Sequence, residues 1–140
     1  MKNKLKLSHL TLIIFILGAA HFVLLKTKAY GNNHWVDIPL HIIMGLFLGL
    51  IFLWRRNKLK NQEVINYRSL VTGLITFGFF GGLVWEIFEV IIWRSLPLIG
   101  NYVEIKQTAL SDTFSDLTFD VLGSLIWLIF MKPVKSNEKN

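Results

Sequence analysis

The sequence predicts an all-α integral membrane protein, a bundle of four transmembrane helices with the N-terminus and the C-terminus both cytoplasmic. Three observations predict it. The 140 residues are 53% hydrophobic and 14% aromatic, with a mean hydropathy of +0.50, which is too apolar for an ordinary soluble domain. The apolar residues gather into four runs of about 20, the length needed to cross a bilayer. Lys and Arg, finally, are distributed unevenly between alternate connections. A chain this short holds one domain at most, expected over residues 1–135, with residues 136–140 as a polar tail.

The first run, Leu7 to Leu25, follows Lys2, Lys4 and Lys6. KNKLK, an apolar core and Gly18-Ala19-Ala20 resemble the three regions of a cleavable signal peptide. The run continues through His21-Phe22-Val23-Leu24-Leu25 to Lys26, so a retained span is expected. The second run, Val36 to Trp54, opens on Asp37-Ile-Pro-Leu-His41 and leads into RRNKLKNQEVINYRS, a polar connection read as carrying a short interfacial helix. The third, Leu70 to Trp93, ends on Glu86 and Glu89. RSLPLIGNYVEIKQTALS follows, the longest connection, with a turn signal at Pro-Leu-Ile-Gly. The fourth run, Thr113 to Met131, is entered through Asp112, Asp116 and Asp120.

The basic residues orient these spans. Lys2, Lys4, Lys6, Arg55, Arg56, Lys58, Lys60, Arg68, Lys132, Lys135 and Lys139 lie on one side, and Lys26, Lys28, Arg94 and Lys106 on the other. Cytoplasmic loops carry the excess of positive charge, so the richer side is read as cytoplasmic. Topology thereby accounts for the net charge of +6 without invoking nucleic acid. Trp35 and Trp93 fall near the outer interface and Trp54 near the inner one, as an aromatic belt requires. The absence of cysteine excludes disulfides and thiolate metal sites.

Of nine Asp and Glu residues, Asp37, Glu86, Glu89, Asp112, Asp116 and Asp120 lie inside or at the edge of a span. A carboxylate in the bilayer costs a few kcal/mol on insertion scales, so such groups face a protein interior and mark function. The topology brings all of them, with His21 and His41, to the outer ends of their helices. At about 1.5 Å per residue, Asp120 lies roughly 10 Å below the outer boundary. Each helix also carries its polar groups and small residues on one face. Asp37, His41, Gly45 and Gly49 recur at intervals of four, as do Gly78, Gly82 and Glu86, and Asp112, Asp116, Asp120 and Ser124. Small residues at this spacing let helices approach closely in lipid, leaving the acids to line a pocket where the helices splay.

So many carboxylates in a small pocket must share protons or be neutralised by cations. Oxygen donors suit Mg, Mn or Ca, and an imidazole admits Zn. Asp37, His41, Glu86, Glu89, Asp112 and Asp116 are the candidate metal ligands. Glu86, Glu89, Asp116 and Asp120 are the candidate catalytic groups, and Arg94 is placed to pair with a substrate phosphate. Dicarboxylate metal sites of this kind handle phosphate esters or activate water. The expected ligand is a phospholipid or a polyprenyl phosphate, and a homodimer fits the same pattern. Two other classes stay open: a proton or cation transporter, and a non-catalytic accessory or assembly protein.

GGLVWEIFEV and SDTFSDLTFDVLGS together resemble the YjdF-like bacterial inner-membrane proteins, a family of unknown function. Its pattern pairs a Trp-Glu-Ile-x-Glu element with an Asp-Thr-x-x-Asp-x-x-x-Asp-x-x-Gly element across one outer loop. Asp37-Ile-Pro-Leu-His41 is similar, more distantly, to the Asp-x-x-x-His of VanZ-like proteins. The resemblance covers about Asp37 to Gly123. It implies Asp37, His41, Glu86, Glu89, Asp112, Asp116 and Asp120 as the family's polar positions and the bacterial cytoplasmic membrane as its location.

Overall fold

In lipid a backbone must satisfy its own hydrogen bonds, and an uninterrupted apolar run does so as an α-helix. The computed structural model describes residues 6–27, 29, 34–59, 66–95 and 110–131. All the regular elements among the described residues are helical: α1 (Leu7–Lys26), a single 3₁₀ turn (His34–Val36), α2 (Asp37–Leu59), α3 (Tyr67–Ser95), α4 (Leu110–Leu125) and α5 (Trp127–Phe130). Four stretches are long and apolar enough to cross a membrane: Leu7–Leu24, Asp37–Lys58, Tyr67–Ile91 and Leu110–Phe130. The four-span architecture expected from the hydropathy runs is therefore present.

The helix ends follow local chemistry more closely than they follow hydropathy. Asp37 stands in the first turn of α2 and Arg56 and Lys58 in its last, each complementing the helix dipole at its own end. Pro39 lies in that first turn, where no intrahelical N–H is required. The basic residues extend α2 past Trp54, and Lys58 Nζ lies 5.2 Å from the Trp54 ring centroid, a cation–π contact. The third helix starts before its apolar run because Asn66 caps it. Its side-chain oxygen accepts from the Arg68 N–H at 3.0 Å, as a helix N-cap does.

The fourth span is interrupted at Ile126. Its N–H is shared between the carbonyls of Leu122 at 3.2 Å and Gly123 at 3.3 Å. The Trp127 indole N–H donates to the Leu46 carbonyl of α2 at 2.7 Å, fixing α5 against the bundle.

The pairings along the bundle show α2 and α4 running in the same direction, with α3 antiparallel to both. At the tightest crossing Gly45 of α2 lies against the backbone carbonyl of Asp120 of α4, where any Cβ would collide. A Cβ on Gly123 would in turn collide with the Ile42 carbonyl and come within 3.0 Å of the Gly45 Cα. On the other side of α4, Gly78 faces Val121 and Ser124, and Gly82 faces the Asp120 side chain. Small residues thus clamp α4 between α2 and α3, as expected of small-residue seams in lipid. Leu10 and Leu17 join α1 to Met44, Phe47 and Trp85. Leu53, Leu70 and Leu74 close the far end of the bundle, with Trp127 and Leu128 packed on them.

Candidate functional site: an imidazole ringed by carboxylates

The close approach of α2, α3 and α4 carries their acidic ends into one place. His41, 1% exposed, is its centre. Its Nδ1 lies 3.2 Å from Asp120 Oδ2. Its Nε2 faces three further carboxylates: Asp37 Oδ1 at 3.7 Å, Glu86 Oε1 at 3.8 Å and Asp116 Oδ1 at 3.8 Å. Asp37 comes from the same helix at i−4, Glu86 from α3, and Asp116 and Asp120 from successive turns of α4. Helical spacing explains the last pair, because residues four apart share a face.

Asp120 is fully buried at the base of the cluster, while Asp37 and Glu86 retain 14% and 12% side-chain exposure toward its mouth. Glu86 is oriented from behind by the Thr113 hydroxyl, which donates to Oε2 at 3.1 Å. Beside the cluster, Glu89 Oε1 lies 3.2 Å from Nδ1 of His21 in α1. The His21 ring meets Trp85 edge to face at 5.5 Å between centroids.

The carboxylates outnumber their counter-charges. Among the described residues their cationic partners are imidazoles, and no Lys or Arg pairs with them. Asp37 Oδ1, His41 Nε2, Glu86 Oε1, Glu89 Oε1 and Asp120 Oδ1 are buried without a hydrogen-bond partner. Orphaned buried polar atoms are rare in native proteins and call for an explanation. Two sets of donor atoms have metal-binding proximity, Asp37–His41–Asp116 and His41–Glu86–Glu89, each with all its atoms within 4.8 Å of one another. A tetrahedral ion with bonds of about 2.1 Å spaces its ligands about 3.4 Å apart. The three Nε2-to-oxygen separations need close by only a few tenths of an ångström to meet that spacing.

Most of the expected site residues therefore come together. Asp37, His41, Glu86, Asp116 and Asp120 form the ring around one imidazole, and Glu89 adjoins it. Asp112 is only partly buried and belongs to neither donor set, so it stands at the rim. Arg94 falls in the last turn of α3, but its side chain lies outside the described residues, as do that of Trp93 and the expected outer loop, residues 96–109. His21 and Thr113 are absent from the candidate site residues read from the sequence. A histidine in an otherwise apolar run was the available signal for the first. Nothing about a lone Thr one residue after Asp112 marks the second.

The chain matches the family described as Predicted membrane protein (DUF2238) over residues 1–137. It belongs to that family. The membership agrees with the resemblance carried by the Trp-Glu-Ile-x-Glu and Asp-Thr-x-x-Asp elements, whereas the VanZ-like likeness finds no support in the comparisons. Neither the curated proteins nor the solved structures give a match.

Proposed function

We propose that this protein binds a divalent cation in the His41 cluster and through it recognises, or acts on, a phosphate-bearing lipid or envelope precursor. The observation that carries the reading is the ring of carboxylate oxygens around the unpartnered Nε2 of a buried imidazole. Asp37, His41, Glu86 and Asp116 are the ligands. Nitrogen beside oxygen donors favours Mn or Zn over Mg or Ca. Asp120 has a different part. With its carboxylate ionised it can only accept, so His41 Nδ1 carries the proton and Nε2 presents its lone pair to the ion. Carboxylate–histidine–metal triads use this arrangement to fix the tautomer and orientation of the ligand. Asp120 is thereby a positioning residue, and the acid–base work falls to Glu86, Glu89 and Asp116. A phospholipid or polyprenyl phosphate suits such a centre, because bound cations polarise phosphoryl oxygens.

The reading places the cluster on the outer side of the bacterial cytoplasmic membrane, on the strength of the Lys and Arg asymmetry. Transport is the less favoured class because the polar chain stops. Below Asp120 comes Ser124, whose hydroxyl is held by the Leu74 carbonyl, and then the Leu53–Leu70–Leu74 cluster.

The test is metal content. Protein purified in detergent, stripped with chelator and equilibrated with Mn²⁺ or Zn²⁺ is expected to retain metal after desalting. His41→Ala is expected to lose at least about 100-fold in affinity, the scale on which even outer-shell partners of a metal act. Wild-type protein that retains none overturns the reading.

A further inference from the structure

We infer that the cluster is a dinuclear site, with a second cation position formed by Glu86, Glu89 and His21. The inference rests on the metal reading above and extends it. A single ion accounts for Asp37, His41 and Asp116 but leaves two features unexplained. Glu89 Oε1 is buried without a hydrogen-bond partner, and Glu89 offers a carboxylate oxygen within 4.8 Å of the donor atoms of His41 and Glu86. His21, 4% exposed, brings a second imidazole from a fourth helix to within 3.2 Å of that same oxygen.

The donors divide into two half-sites of one kind. Asp37 and His41 sit at i, i+4 on α2 and are completed by Asp116 from α4. Glu86 and Glu89 sit at i, i+3 on α3 and are completed by His21 from α1. Glu86 stands between the two, since its Oε1 is 3.8 Å from His41 Nε2 and it shares a donor set with both His41 and Glu89. All four helices contribute, and two imidazoles with four carboxylates is the donor inventory of dinuclear sites in helical bundles.

Charge points the same way. Asp37, Glu86, Glu89 and Asp116 together carry four negative charges when ionised, which two divalent cations balance and one does not. Asp120, ionised and hydrogen-bonded by His41 Nδ1–H, adds a fifth negative charge, so a single divalent cation falls still further short. A cation pair about 3.5–4 Å apart is the arrangement that clamps the oxygens of a phosphate ester, the ligand class already proposed.

The experiment is a count of Mn²⁺ per chain on the full-length protein in detergent, by elemental analysis, with electron paramagnetic resonance on the same samples. Wild-type protein is expected to hold two Mn²⁺ and to show the multiline signal of an exchange-coupled pair. Glu89→Gln and His21→Gln are each expected to hold one, with the uncoupled six-line signal. Two variants on different helices keep the test decisive should one of them misfold. A single uncoupled Mn²⁺ in the wild type overturns the second position and leaves the first standing. Two Mn²⁺ retained in both variants overturns the assignment of Glu89 and His21. Protein that binds none overturns the underlying metal reading.

Discussion

The two ends of the bundle are built by the same helices and held by the same seam, yet they are filled with opposite chemistry. Toward one end α2, α3 and α4 enclose His41, Asp116 and Asp120, all at most 5% exposed. Toward the other they enclose Leu53, Leu70 and Leu74. A bilayer offers no hydrophobic gain for either, since lipid is as apolar as leucine. The leucine end is stabilised by close packing alone. The polar end carries a desolvation cost that its ion pairs only partly repay. Of the acids only Asp120 enters the packing seam, through its side chain against Gly82, while Gly45, Gly78 and Gly123 meet α2 and α4 through backbone and Ser124. Under the proposed function a ligand answers that desolvation cost, and the contrast can be tested from either side.

The largest effect is expected where the two ends share their support. Gly45→Leu would drive a side chain into the Asp120 backbone, with no flexible neighbour to yield. Overpacking of a rigid contact costs about 3 kcal/mol or more at its worst. We expect loss of folded protein by size-exclusion chromatography in detergent, affecting both ends at once. A Gly45→Leu protein that stays monodisperse and binds metal would show that the seam is not shared.

The next effects separate the ends. Leu74, fully buried, anchors the apolar end. Leu74→Ala leaves a cavity, and with the transfer contribution muted in lipid the loss should be about 2 kcal/mol, near the bottom of the range for such truncations. It should lower thermal stability without changing metal affinity. Asp116→Asn should do the reverse. It removes one of several crowded carboxylates while His41 keeps Asp120, Asp37 and Glu86 as partners. In chelator-treated protein it should raise stability by about 1 kcal/mol, in line with the gains seen when buried ionic groups are neutralised, and it should weaken metal binding. Thermal unfolding with and without Mn²⁺ reads both. Asp116→Asn that destabilises the metal-free protein would mean the acids hold the fold together.

Much of this contrast is legible in the sequence, and the reason is the bilayer. Runs of about 20 apolar residues admit one structure in lipid, so the four spans follow from hydropathy. Because the spans alternate in direction, the positions of Asp37, Glu86 and Asp116 along them already bring all three acids to one end. The period of the stripes predicts a shared face, and the Gly45–Asp120 and Gly82–Asp120 contacts are that face. A stripe, however, does not give the rotation of one helix against another. Whether Asp120 would sit behind His41 or beside it depends on a crossing set by Gly123, which lies next to the stripe ending at Ser124. The pairing of His21 with Glu89 was hidden for the same reason. The early start of α3 and the break at Ile126 escaped hydropathy because a side-chain cap and a shared carbonyl produce them.

The smallest effect is expected at Ser124, which lies between the two ends and belongs to neither. Its hydroxyl is 2.9 Å from the Leu74 carbonyl of α3 and 2.8 Å from the Val121 carbonyl of its own helix. One hydroxyl proton serves both, so neither bond has full strength. The Leu74 carbonyl also lies within a continuous helix, where the N–H four residues on, at Gly78, can accept the role of donor. Ser124→Ala therefore leaves no orphaned acceptor, and interhelical hydrogen bonds in membranes average only about 0.6 kcal/mol. We expect a loss of that size in thermal unfolding and no change in Mn²⁺ affinity. A change in affinity would extend the polar end down to Ser124 and bring the transport reading back. An unchanged affinity fixes Asp120 as the floor of the site, with the leucine end sealed beneath it.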